Sequence, residues 1–137
     1  MKLNLGVEKT IIIVDDDDDS YFLEEIFLRK SDIKNNIIRF CDGEELLDFF
    51  RRETEKGCLD TANYVLLLDI RMPKTDGITV LSMIKHDAFL SRIPVIMVSA
   101  SNNPKFIDTC INLGCSDYIV KPFDFKKAQI IKNCYLS

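Results

Sequence analysis

The stretch YVLLLDIRMPKTDG, residues 64–77, holds the key to the fold. Residues 65–68 are apolar without interruption, as in a central strand covered on both faces. The run breaks at Asp69. A loop with Pro73 and Gly77 follows, and then Ile78, Leu81 and Ile84 recur at helical spacing. The same order repeats on either side. Residues 11–14 end at Asp15 and Asp16, residues 95–98 end at Ser99, and residues 118–120 end at Lys121, with Pro122 next. One further run, residues 37–40, contains Arg39. Short apolar runs alternating with longer helical segments predict βα units on a parallel sheet. The unbroken runs 11–14, 65–68 and 95–98 belong at its centre, and the charged second and short fifth runs at its edges. Strand order 2-1-3-4-5 meets these conditions with right-handed crossovers and helices on both faces.

The helices have legible ends. Asp18 or Asp19 is placed to cap the first, with Phe22, Leu23, Ile26 and Phe27 expected inward. Asp42 and Glu45 form a capping-box pattern before Leu46, Leu47 and Phe50. Residues 51–63 are polar, hold Gly57, and read as a frayed helix end and loop. Asn103-Pro104 reads as a cap and first helical position, with Phe106, Ile107, Cys110 and Ile111 as the buried stripe and Gly114 as the stop. Asp124 opens a last, short helix with Phe125, Ala128 and Ile131 on one face.

The 137 residues fit one domain over 1–137, with a flexible N-terminus over 1–9. An apolar share of 47% excludes a disordered chain, and no apolar run approaches the ~20 residues of a membrane span. The first ten residues lack the apolar centre of a secretory signal. Five cysteines, odd in number and without CxxC spacing, read as reduced thiols of a cytoplasmic protein. A net charge of −4 and the absence of a basic cluster argue against a nucleic-acid partner.

In this strand order the crevice at the C-terminal ends of strands one and three is where open α/β sheets place their chemistry. Asp15, Asp16 and Asp69 meet there. Carboxylates this close repel, so at least one should resist ionising unless a hard cation is bound. Mg²⁺ suits them: Asp16 and Asp69 supply two ligands, a backbone carbonyl of the following loop a third, and Asp15 acts through a water. A strand-end aspartate is also a nucleophile toward phosphorus, and positioning with charge neutralisation dominates that chemistry. Lys121 covers phosphoryl charge and Ser99 offers a hydroxyl. Lys121-Pro122 is a candidate cis peptide. Asp17 to Asp19 serve capping and solubility. A calcium loop counted from Asp15 fails, because its sixth and twelfth positions hold Ser20 and Ile26 instead of glycine and glutamate. His86 reads as a surface residue.

The segments IIIVDDD (11–17), LLLDIRMPKTDG (66–77), IPVIMVSAS (93–101) and GCSDYIVKPF (114–123) together resemble the receiver domain of two-component response regulators, over essentially the whole chain. The resemblance implies a doubly wound, flavodoxin-like (βα)5 sandwich. It implies that Asp69 is the phosphoacceptor, that Asp15 and Asp16 are the acidic pair, and that the Arg71 backbone carbonyl completes the Mg²⁺ site. Ser99 resembles the switch hydroxyl, Tyr118 the switch aromatic and Lys121 the invariant lysine. The phosphoryl group is expected from a sensor histidine kinase or phosphotransfer protein. Output passes to a downstream protein through helix four, strand five and helix five. The chain is read as a stand-alone receiver: a signalling phosphoacceptor with slow self-dephosphorylation, not a metabolic enzyme. Departures from the family pattern are a longer region between Phe50 and Tyr64 and Cys115 in place of the usual alanine.

Two rivals remain at this point. A haloacid-dehalogenase-type phosphatase also uses a strand-end aspartate and Mg²⁺, but its DxDx[TV] motif needs Thr or Val where Asp18 stands. A pseudo-receiver that binds protein and never takes phosphate has no reason to keep Asp15, Asp16, Asp69, Ser99 and Lys121 together.

Overall fold

The computed structural model describes residues 8–72 and 74–136. The expected flexible terminus lies outside the described residues apart from Glu8 and Lys9, as does Pro73 of the expected loop. Five βα units follow one another: β1 (Thr10–Val14), α1 (Asp18–Lys30), β2 (Ile37–Phe40), α2 (Gly43–Glu55), β3 (Tyr64–Asp69), α3 (Gly77–Lys85), β4 (Val95–Ser99), α4 (Pro104–Leu113), β5 (Asp117–Val120) and α5 (Phe125–Tyr135). All pairings are parallel, and the sheet order is β2-β1-β3-β4-β5, as expected.

The alternation of strand side chains divides the core in two. Ile12, Val14, Leu66, Leu68, Val95 and Met97 point to the face covered by α2, α3 and α4. Ile11, Ile13, Val65, Leu67, Ile96 and Val98 point to the face covered by α1 and α5. Both faces of the three central strands are dry, which is why those runs carry no polar residue.

Several caps form as read. Asp42 accepts from the Glu45 N–H at 2.9 Å, while the Glu45 carboxylate accepts from the Cys41 N–H at 2.7 Å. Asn103 caps α4 ahead of Pro104, and Gly114 ends it in the left-handed conformation, φ 100°. Asp124 caps α5. Lys121-Pro122 is cis.

Three helix faces differ from the reading. The N-cap of α1 is Asp17, which accepts from Ser20 N–H; Asp18 and Asp19 stand in the first turn, where their charge favours the helix dipole. The buried residues of α1 are Glu24 and Leu28, whereas Phe22 and Leu23 are exposed. The stripe is turned because a glutamate occupies an inward position, which a reading of apolar spacing passes over. On α4 only Cys110 of the expected stripe is buried, and Phe106 and Ile111 face solvent. That helix lies beside β5, a short edge strand with a single buried residue, so little sheet is available to cover it. On α5, Ala128 and Ile131 are buried and Phe125 is exposed, because Phe125 opens the helix at the sheet's rim. His86 is exposed, its ring Nδ1 2.7 Å from the Ser82 carbonyl oxygen within the same helix end.

Candidate functional site

Register brings the polar strand ends together. Val14 pairs with Leu68, so Asp15 and Asp69 follow side by side. Asp69 pairs with Val98, and Ser99 with Val120, so Ser99 and Lys121 complete the same edge. Carboxylate oxygens of Asp15, Asp16 and Asp69 all lie within 4.8 Å of one another. Asp15 and Asp69 are buried and Asp16 is exposed. The Lys121 ammonium spans the cluster, with Nζ 3.1 Å from Asp15 Oδ2 and 3.6 Å from Asp69 Oδ1.

Burial pushes the Asp69 carboxyl up to about 6; Lys121 pulls the other way, the charge of Asp15 adds to the rise, and the Arg71 backbone N–H that Asp69 accepts opposes it. Burial also disfavours a charged Lys121, but Asp69 and Asp15 outweigh it and hold the ammonium above its usual range. Lys121 is thus a fixed cation. One ammonium against three carboxylates leaves net negative charge, and three hard oxygen donors converging from two loops fit Mg²⁺.

Arg39 is a residue whose role the sequence did not disclose. In the sequence it marks only an edge strand. Its Nε and Nη2 donate to the Asp15 carbonyl at 3.2 and 3.0 Å, and its Cζ lies 4.7 Å from the Tyr21 ring centroid. The Asp15 N–H meanwhile donates to the Phe40 carbonyl at 3.1 Å. Strand β2 therefore holds both polar groups of the Asp15 backbone. The 2.7 Å ion pair of Arg39 with Asp18 is exposed on the acid's side and contributes little by comparison. Arg39→Leu is expected to cost about 1–2 kcal/mol, the scale of two lost hydrogen bonds. It should also weaken Mg²⁺ binding severalfold, read by denaturant melts and calorimetric titration; unchanged Mg²⁺ affinity rules out the anchoring role.

Ser99, Ser101 and Tyr118 form a connected set. The Ser99 hydroxyl is buried and accepts from the Ser101 N–H at 3.1 Å. The Tyr118 hydroxyl donates to the Ser101 carbonyl at 2.8 Å, and its ring packs on the core. One residue of the β4–α4 loop thus ties the strand-end hydroxyl to the aromatic side chain of β5.

The raised carboxyls set a pH dependence. Asp69 reaches about 6 and Glu24, buried beside Asp15, about 8, chiefly through burial. Between the unfolded values near 4 and these, the folded state holds more protons than the unfolded one. The stabilisation is complete below about 4 and is lost as pH climbs through 6 and 8. Without metal, the melting temperature should therefore fall from pH 5 to pH 8. Mg²⁺, binding only the folded chain, should raise it most at pH 8. A melting curve flat with pH, or indifferent to millimolar Mg²⁺, contradicts the site as drawn.

A doubly wound domain with an acidic crevice, a strand-end hydroxyl and a facing lysine is the architecture in which an aspartate can take a phosphoryl group. The response regulator receiver domain model matches residues 11–132, and the chain belongs to that family. Among curated relatives, it is 41% identical to the two-component response regulator ORR1 of Oryza sativa subsp. japonica over 70 residues, 51% of this chain and 30% of that protein. It is 36% identical to the probable transcriptional regulator ycf27 of Porphyridium aerugineum over 101 residues, 74% of this chain and 38% of that one. The chain thus spans about a third of the length of these curated relatives. Among solved structures, the Mn²⁺-bound form of response regulator Rcp1 superposes with a TM-score of 0.80 at 30% identity, covering 94% of this chain and 95% of that one. The CheX–CheY–BeF3–Mg²⁺ complex from Borrelia burgdorferi matches with a TM-score of 0.74 at 30% identity, over 96% and 92% of the respective chains.

Proposed function

We propose that the chain acts in the cytoplasm as a receiver domain of a phosphorelay, accepting a phosphoryl group on Asp69. The observation that carries this is Lys121 standing between Asp15 and Asp69 at the sheet edge. An Asp69 oxygen forms the bond to phosphorus as the bond to the donor's imidazole nitrogen breaks, and the departing imidazole retains the electron pair and takes up a proton. Lys121, Asp69's partner before transfer, is within reach of the phosphoryl oxygens after it. Asp16, Asp69 and the Arg71 carbonyl would hold Mg²⁺, with Asp15 reaching it through water. Bound there, Mg²⁺ supplies neutralisation of the negative charge that builds on the transferring group.

The docking side follows from exposure. A groove of about 350 Å³ opens over Lys121 between Asp19, Leu23, Ala100 and Phe123. A helix of the histidine kinase or phosphotransfer protein fits there. On the other side, drawing the Ser99 hydroxyl toward the phosphoryl group removes the acceptor of the Ser101 N–H. Through Ser101, Tyr118 and the α4–β5–α5 face respond, where exposed Ile111 and Ile130 offer contact to a downstream protein. No helix among the described residues is long and apolar enough to cross a membrane.

Incubation with acetyl phosphate and Mg²⁺, followed by intact mass, tests the reading. One phosphoryl adduct, absent with EDTA and labile to hydroxylamine, is expected. No adduct with any small donor or phosphotransfer protein favours the binding-module reading, and multiple turnover of a phosphomonoester favours a phosphatase.

A further inference from the structure

Helix α1 has two buried positions, four residues apart, and they carry unlike side chains: Leu28 and Glu24. Leu28 packs in the core beneath the sheet's α1–α5 face. At Glu24 the same spacing calls for another apolar residue, yet a carboxyl 1% exposed stands there. Its Oε2 has no hydrogen-bond partner among the described residues. A buried oxygen without a donor is costly, and a helix position that breaks its own pattern at such a cost points to function. The charged groups that Glu24 faces are Asp15, Lys121 and Asp69, the members of the phosphorylation site, and its carboxyl lies against that of Asp15.

Asp15 is held on its other sides. Oδ1 accepts from the Asp17 N–H at 2.9 Å, Oδ2 from Lys121 at 3.1 Å, and its backbone is fixed by β2. Glu24 faces it from α1. We propose that Glu24 is a fourth acidic residue of the site, a positioning residue that backs Asp15 and Lys121 and sets how tightly the site takes a divalent cation. It works through Asp15, in the way that outer partners of metal ligands orient them. The inference rests on the receiver reading of the site.

The test uses the full chain, with Mg²⁺ as the probe. Mg²⁺ affinity is read by calorimetric titration and melting temperature in EDTA, for the natural chain, Glu24→Leu, Glu24→Met and Glu24→Gln. The apolar variants should bind Mg²⁺ roughly tenfold more weakly. They should also melt higher in EDTA, since the unpartnered oxygen is gone. Glu24→Gln, which keeps the shape and whose amide can donate to Asp15, should recover most of the affinity. A residue with a purely structural role gives no such opposition between stability and metal binding. Should Glu24→Leu fail to fold, Glu24→Met carries the comparison. Apolar variants that bind Mg²⁺ like the natural chain overturn the proposal, and so does a Gln variant as weak as they are. A natural chain that binds no Mg²⁺ overturns the reading of the site itself, and this inference with it.

Discussion

Asp69→Asn should gain no phosphoryl adduct from acetyl phosphate and Mg²⁺, while the natural chain gains one. The amide removes the nucleophile and leaves its shape, so the loss is complete rather than graded. The same substitution has a second, opposite signature in stability. Asp69 is buried, and burial together with Asp15 makes its charged form unfavourable despite Lys121. A neutral isostere avoids that cost wherever the natural residue is ionised. In EDTA at pH 8 the variant should be more stable by about 1–3 kcal/mol, with the difference vanishing near pH 4. Mg²⁺ should then stabilise it far less than the natural chain. An adduct that persists in Asp69→Asn moves the acceptor to another residue, and a variant less stable at pH 8 than the natural chain shows that Lys121 outweighs burial.

Gly77→Ala should be the most damaging single methyl in the protein. A Cβ at Gly77 collides with the Asp69 carbonyl oxygen and meets the Ile70 Cα at 2.8 Å. Those are backbone atoms at the end of β3, held by the Gly77 N–H to Ile70 carbonyl bond of 2.8 Å. A side chain can swing away from such a clash, but this backbone cannot move without displacing Asp69. The cost should exceed the usual 1–3 kcal/mol of overpacking, and the melting temperature should drop by roughly 10 °C or more. Gly57→Ala is the control. Gly57 has open space around it and φ of 71°, so its alanine should cost only about 1 kcal/mol of backbone strain. Equal effects at the two positions contradict the close approach.

The element order, the strand order and the identity of the converging strand ends were legible in the sequence. Runs such as residues 65–68 and 95–98 are apolar on every residue only when both faces are covered, so central strands declare themselves. The caps at Asp42, Asn103 and Asp124 were legible because they depend on neighbours within three residues.

Helix faces were less legible, because apolar spacing does not report how much sheet lies beneath a helix. Phe22, Phe106 and Phe125 are spaced for a core and face solvent. Nothing in the spacing of Arg39 or Glu24 announced a contact with Asp15. Each meets Asp15 from a different element, Arg39 from 24 positions away along the chain.

What the sequence determined by itself is the set of chemical groups at the strand ends and the parallel sheet that gathers them, since hydrophobic period and capping are local properties written residue by residue. What only the tertiary structure decided is the state of those groups. The ammonium of Lys121 reaches Asp15 across a separation of 106 residues, Glu24 faces Asp15 from α1, and Arg39 holds the Asp15 carbonyl. Burial and charge depend on distance in space, and no spacing along the chain encodes them.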